Sequence, residues 1–242
     1  RFEKVSLQSC TGALSYITNQ AKAAKNGDTS SSWKNCYMKN VKPLTHGRKI
    51  AARARTLSFL PPRPDMAASL RRGEDSPEFE AMETCGPGDV LVVDANRMSQ
   101  LGILGNMKTR RLWQRGATGL ITDASVRDLD KVRDDYGLAV FGAGRSAITG
   151  LEGSPFHEAN VPISCDGVLV VPGDLMVADD DGVVVIPQQL AEQVIDWIEE
   201  HDQVEDFIAK LVDEEQVSAG RYYPPSEELK QRFRDEQAEK AK

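Results

Sequence analysis

Apolar residues fall in short runs separated by turn-forming clusters, and the spacing within each run predicts its element. Ser9 to Lys25 mixes apolar and small residues as a helix does, with Asn26-Gly27-Asp28 as its stop and a polar loop over Thr29 to Ser32. Ile50 to Leu57 alternates small and basic residues, which predicts a strand. Pro61-Pro62-Arg63-Pro64 continues neither a helix nor a central strand and predicts a loop entering a helix from about Asp65 to Arg72. Glu78 to Thr84 is a further helical stretch. The turn Pro87-Gly88-Asp89 then leads into Val90-Leu91-Val92-Val93-Asp94, an apolar run fit for a buried strand that delivers Asp94 and Asn96 to a loop. Asn106 to Arg115 reads as a helix closed by Gly116, Gly119 to Thr122 as a strand ending at Asp123, Asp128 to Arg133 as a helix, and Leu138 to Phe141 as a strand.

The second half is strand-rich. Val161 to Ser164, Val168 to Val171 and Val183 to Ile186 read as strands, with turns at Pro172-Gly173-Asp174 and Asp179-Asp180-Asp181-Gly182. Gln188 to Leu211 predicts a long helix with Leu190, Val194, Ile195 and Ile198 as its apolar positions. The rest, including Tyr222-Tyr223-Pro224-Pro225, reads as packing on a neighbouring subunit, or beyond Glu227 as an unstructured charged tail. Strands interleaved with helices predict one compact α/β domain over residues 1–187 and a C-terminal helical extension over 188–242.

Composition narrows the function classes. A formal net charge of −7 argues against nonspecific nucleic-acid binding, which needs a basic face. No run approaches the length of a membrane span, and no signal peptide opens the chain, so neither a membrane nor secretion is expected. Cys10, Cys36, Cys85 and Cys165 are scattered without metal-ligand spacing, which predicts reduced thiols in a cytoplasmic protein.

Few residues carry chemistry. Asp123 to Asp128 follows a strand and precedes a helix, where α/β sheets place binding residues, although an N-cap and a surface charge fit the same residues. Leu101-Gly102-Ile103-Leu104-Gly105-Asn106 either leaves backbone N–H groups free for an anion or is a tight loop needing unusual backbone angles; its spacing fits no dinucleotide or P-loop motif. Asp179-Asp180-Asp181 lacks the alternation of a calcium loop and reads as a solvated hairpin turn. His46, His157 and His201 are isolated, and Cys165 lies in an apolar run that buries it.

The ordered set Pro87-Gly88-Asp89 to Asp94, Gly105, Gly116-Ala117-Thr118-Gly119 and Val126-Arg127-Asp128 resembles the RraA-like family. Val161-Pro162-Ile163, Gly167-Val168, Pro172-Gly173-Asp174 and Asp179 to Pro187 follow in the same order, so the resemblance covers about residues 85–190. It implies a swivelling β/β/α domain that forms trimers or dimers of trimers, a homotrimer or homohexamer. One branch of the family comprises class II aldolases that cleave 4-hydroxy-4-methyl-2-oxoglutarate or 4-carboxy-4-hydroxy-2-oxoadipate to pyruvate and often decarboxylate oxaloacetate. The other comprises non-catalytic regulators of ribonuclease activity. Retention of Arg127-Asp128 about twenty residues after Gly105 implies the enzyme branch. The resemblance assigns Asp128 to a divalent metal, Mg2+ or Mn2+, and Arg127 to the enolate oxygen. Backbone N–H groups of Gly105, Asn106, Met107 and Lys108 are assigned to the substrate carboxylate. Asn106 departs from the acidic residue usual there, which makes Asp94 or Asp123 a candidate compensating carboxylate. Glu199, Glu200 or Glu205 is a candidate to complete a neighbouring subunit's site.

Overall fold

Val90 to Val93 are completely buried because they run down the middle of a sheet covered on both faces. A computed structural model describes residues 1–24, 33, 35–61, 63–66, 71, 73–148 and 156–240. The expected Asn26-Gly27-Asp28 stop and the Thr29 to Ser32 loop lie outside these residues, as does most of the helix expected over Asp65 to Arg72, of which Pro64–Met66 forms one 3-10 turn.

The strands are β1 (Tyr37–Met38), β2 (Lys42–Pro43), β3 (Ile50–Phe59), β4 (Asp89–Asp94), β5 (Gly119–Thr122), β6 (Ser125–Val126) and β7 (Ala139–Gly142). They continue as β8 (Gly144–Arg145), β9 (Phe156–Ala159), β10 (Ile163–Cys165), β11 (Val168–Val170), β12 (Leu175–Asp179) and β13 (Gly182–Ile186). The α-helices are α1 (Leu7–Ala24), α2 (Pro77–Thr84), α3 (Asn106–Gln114), α4 (Leu129–Asp134), α5 (Ala191–Glu215) and α6 (Glu227–Lys240).

The main sheet runs β1-β13-β12-β3-β4-β5-β7-β2, with β9 also on β3. Its centre, β3-β4-β5-β7, is parallel, and α2, α3 and α4 make the crossovers that parallel neighbours require. Period-two alternation divides the sheet's side chains between two cores. Leu57, Leu91, Val93, Leu120 and Val140 pack with Met82, Leu112 and Val132 of the three helices. Ala54, Val90, Val92, Ile121 and Phe141 face the other way, onto Ile163, Cys165, Val168 and Val170 of the β10–β11 hairpin. A helical layer, a sheet and a β-hairpin layer thus make up a mixed α/β fold, as expected.

The short strands β1, β2, β6, β8 and β9 escape the sequence pattern, and so does the longer β12. Leu175 to Asp179 carries Met and Ala where β-branched residues would signal a strand, yet it pairs with both β3 and β13. The pairing of Asp179 with Gly182 makes Asp180-Asp181 a two-residue hairpin turn, as the acidic cluster predicted.

The chain divides into two compact units, Arg1–Ala191 and Glu192–Lys242. In the second, Val204, Ile208 and Leu211 of α5 pack on Leu229 and Phe233 of α6, and Glu200 pairs with Arg234 at 2.6 Å. The stretch beyond Glu227 is a helix, not an unstructured tail, because Leu229 and Phe233 give it an apolar stripe to bury.

Candidate functional site

Loops that follow β4, β5 and β7 converge at the carboxyl end of the parallel strands, where open α/β sheets form ligand sites. The short parallel pair β6–β8 aligns Ser125 with Gly144 and Val126 with Arg145. The loop after β4 is stitched to β6. The Ser125 N–H donates to Leu101 O at 3.1 Å, Ile103 N–H to Ser125 O at 3.1 Å, and Arg127 N–H to Leu104 O at 3.0 Å. These bonds bring Gly102 and Gly105 against Arg127 and Asp128.

Contact there leaves no room for a side chain on Gly102, and one on Gly105 would displace the Asp128 carboxylate. A Cβ on Gly105 would lie 2.7 Å from Asp128 Oδ2, and one on Gly102 would lie 2.2 Å from Arg127 Cγ. Gly105 has φ −109°, which any residue adopts, so close approach and not an unusual backbone angle explains the glycine. As N-cap of α3, Gly105 offers no capping side chain, and Asp128 Oδ2 accepts from the Asn106 N–H at 3.2 Å instead. Asp128 is also the N-cap of α4, with φ 52° and ψ 32°, a left-handed conformation that Asp tolerates better than most residues. Its side chain is exposed and Arg127 is half-buried. Together with Val126, Arg145, Ser146 and Ala147 they line an open cavity of about 320 Å3.

Met107 projects its side chain outward, whereas the Lys108 ammonium reaches Glu78 at 2.6 Å. Burial pushes the Glu78 carboxyl up, and Lys108 opposes that shift. Lys108 therefore commits its charge to a buried carboxylate, which leaves its main chain for the site.

Asp94 and Asp123 are occupied elsewhere. Asp123 accepts from the N–H groups of Ala95 at 2.7 Å, Arg97 at 3.0 Å and Asp166 at 3.4 Å. Asp94 accepts from Asn96 at 2.9 Å and Ser164 at 3.4 Å. Burial raises both carboxyls, and these backbone bonds offset only part of the rise. Both carboxylates knit three loops together and do not line the cavity beside Arg127 and Asp128. Of the C-terminal glutamates, Glu200 is paired with Arg234 at 2.6 Å and Glu205 with His201 at 3.3 Å. Arg145 and Ser146 carried no motif in the sequence; only the β6–β8 pairing brings them to the cavity.

Among the described residues no group of three or more His, Cys, Asp or Glu side chains stands ready to hold a metal ion. The acidic turn is consumed internally, since Gly47 N–H donates to Asp180 at 2.9 Å and Gln8 to Asp181 at 2.7 Å. Asp128 is different: one of its oxygens takes a single long hydrogen bond and the carboxylate faces open solvent. That donor set fits a hard cation that keeps most of its coordination in water and ligand oxygens.

Residues 26–185 match the family model described as RraA-like, Aldolase/RraA. A Thermus thermophilus protein named 4-hydroxy-4-methyl-2-oxoglutarate aldolase is 32% identical over 110 residues, which are 45% of this chain and 65% of that protein. A Halalkalibacterium halodurans protein that bears the same name provisionally is 31% identical over 155 residues, 64% of this chain and 68% of that protein. The chain thus spans about two thirds of the length of these relatives. The crystal structure of Streptomyces coelicolor RraAS2, described as an unusual member of the RNase ES inhibitor RraA family, superposes with a TM-score of 0.64 at 32% identity. The match covers 83% of this chain and 94% of that one. No described helix is long and apolar enough to cross a membrane.

Proposed function

Because the chain belongs to the RraA-like family, we propose that it is a divalent-metal-dependent lyase that forms pyruvate enolate from a small 2-oxo acid. The reaction is retro-aldol cleavage of a 4-hydroxy-2-oxo acid such as 4-hydroxy-4-methyl-2-oxoglutarate, decarboxylation of oxaloacetate, or both. The observation that carries this reading is the packing of Gly102 and Gly105 against Arg127 and Asp128, which sets a guanidinium beside an exposed carboxylate in one cavity.

Cleaving a carbon–carbon bond next to a 2-oxo acid leaves negative charge on the former keto oxygen. A divalent ion, Mg2+ or Mn2+, supplies Lewis-acid stabilisation of that charge. Asp128 would hold the ion, with its left-handed backbone and the Asn106 N–H fixing the carboxylate. Arg127 offers a permanent cation to the developing oxyanion. Of the backbone N–H groups at the start of α3, those of Gly105, Met107 and Lys108 offer the pyruvyl carboxylate the positive end of a helix, while that of Asn106 is held by Asp128. Asn106 can hydrogen-bond water but cannot take up a proton as a base, so its part is to orient. The proposal includes a homotrimer or homohexamer in the cytoplasm, in keeping with four free thiols.

A second reading is a regulator that acts by binding a ribonuclease, and the 32% identity to RraAS2 favours it. An assay coupling pyruvate release to lactate dehydrogenase over a panel of 2-oxo acids, with and without Mg2+ or Mn2+, separates the two. Expected is metal-dependent pyruvate formation that falls to background on chelation and in Asp128→Ala. Activity that survives both removes the metal role. Absence of pyruvate from every substrate, joined with inhibition of an RNA-degrading endonuclease by the purified protein, selects the regulator.

A further inference from the structure

Two guanidinium groups line the cavity, and the proposed chemistry employs only one of them. Arg145 arrives through tertiary pairing: it is the Cα partner of Val126 in β6–β8, and the next residue, Ser146, donates its N–H to Val126 O at 3.2 Å. Its guanidinium is anchored by Asp130, with Nη2 2.6 Å from Oδ2, and Arg133 contacts the same carboxylate at 3.3 Å. That anchor occupies one nitrogen of a group that carries five N–H donors in a planar fork, so most of the fork stays available. Both partners are more than half exposed, as befits the rim of an open site. The side chains of the lining carry two positive charges against one negative, before any metal is counted.

A 2-oxo dicarboxylate has two anionic ends that one arginine at the keto oxygen cannot serve together. We propose that Arg145 is a specificity-determining residue that binds the second carboxylate, the one remote from the keto group, and that Asp130 is the positioning residue that holds its guanidinium. This rests on the lyase reading. It also accounts for the paired exposed charges at Asp130 and Arg145, which contribute little to stability in themselves.

Two substrates test it: 4-hydroxy-4-methyl-2-oxoglutarate, with two carboxylates, and 4-hydroxy-2-oxopentanoate, with one. Steady-state kinetics with Mg2+ are compared for wild type, Arg145→Gln, Arg145→Lys and Asp130→Asn, with thermal melting to confirm that each variant is folded. Arg145→Gln is expected to lose about tenfold to hundredfold in kcat/KM on the dicarboxylate, mainly through KM, as for a lost charge-assisted hydrogen bond. The monocarboxylate should change little, Arg145→Lys should recover part of the loss, and Asp130→Asn should fall between. Equal losses on both substrates, or no loss on either, overturn the assignment of Arg145 and leave the lyase reading standing. Wild type that turns over neither substrate and no other 2-oxo acid overturns the lyase reading itself, and this assignment with it.

Discussion

A Cβ on Gly105 would stand 2.7 Å from Asp128 Oδ2, so a side chain there obliges the Asp128 carboxylate to shift. At φ −109° the backbone of Gly105 accepts Ala without strain, so Gly105→Ala acts on the site and not on the fold. Displacing the Asp128 carboxylate by a fraction of an ångström is expected to lower pyruvate release by up to about tenfold, less than the hundredfold of a 1 Å misplacement. The melting temperature should shift little. Turnover and melting measured on the same preparation check this, and unchanged turnover would refute the close-approach account. Arg127 and Asp128 were legible in the sequence as a pair after a strand. Their neighbour Arg145 was not, because it lies eighteen positions after Arg127 in the chain and only sheet pairing closes that gap.

At the scale of elements, the buried carboxylates of Asp94 and Asp123 hold the ends of β4 and β5 to the β10–β11 hairpin. Asp123→Asn would turn an NH2 group toward a backbone N–H that now has an acceptor. The expected cost is about 1–3 kcal/mol, that of a buried donor left unsatisfied, read as a lower urea midpoint at neutral pH. The pH dependence has a definite sign. Burial raises the Asp123 carboxyl, so its contribution to stability is present below the ordinary Asp range and is lost as pH rises through the raised value. Asp123→Asn removes that dependence, and a variant whose stability keeps the wild-type slope over that range would contradict it. The long helix and the central strands were readable from periodicity, but β12 was not, because its identity comes from pairing on both sides.

At the scale of the whole molecule, each of the two units carries a core of its own. Phe233 is 5% exposed and belongs to the smaller one. Phe233→Ala is expected to weaken the packing of α6 on α5 by about 3–5 kcal/mol, as for other buried Phe truncations. Limited proteolysis should then cut within residues 216–240 while the first unit resists. Equal resistance of the C-terminal stretch in variant and wild type would show that Phe233 does not hold it.

The sequence by itself determined the alternation of helices and strands, the family, and the neighbouring Arg127 and Asp128, because each is written in local spacing or in short ordered motifs. Tertiary structure alone decided that Gly105 is required by contact, that Asp94 and Asp123 serve loops, and that Arg145 joins the cavity. The physical reason is common to all three: which atoms meet across a sheet edge depends on strand register, and register joins residues whose separation along the chain carries no periodic signal.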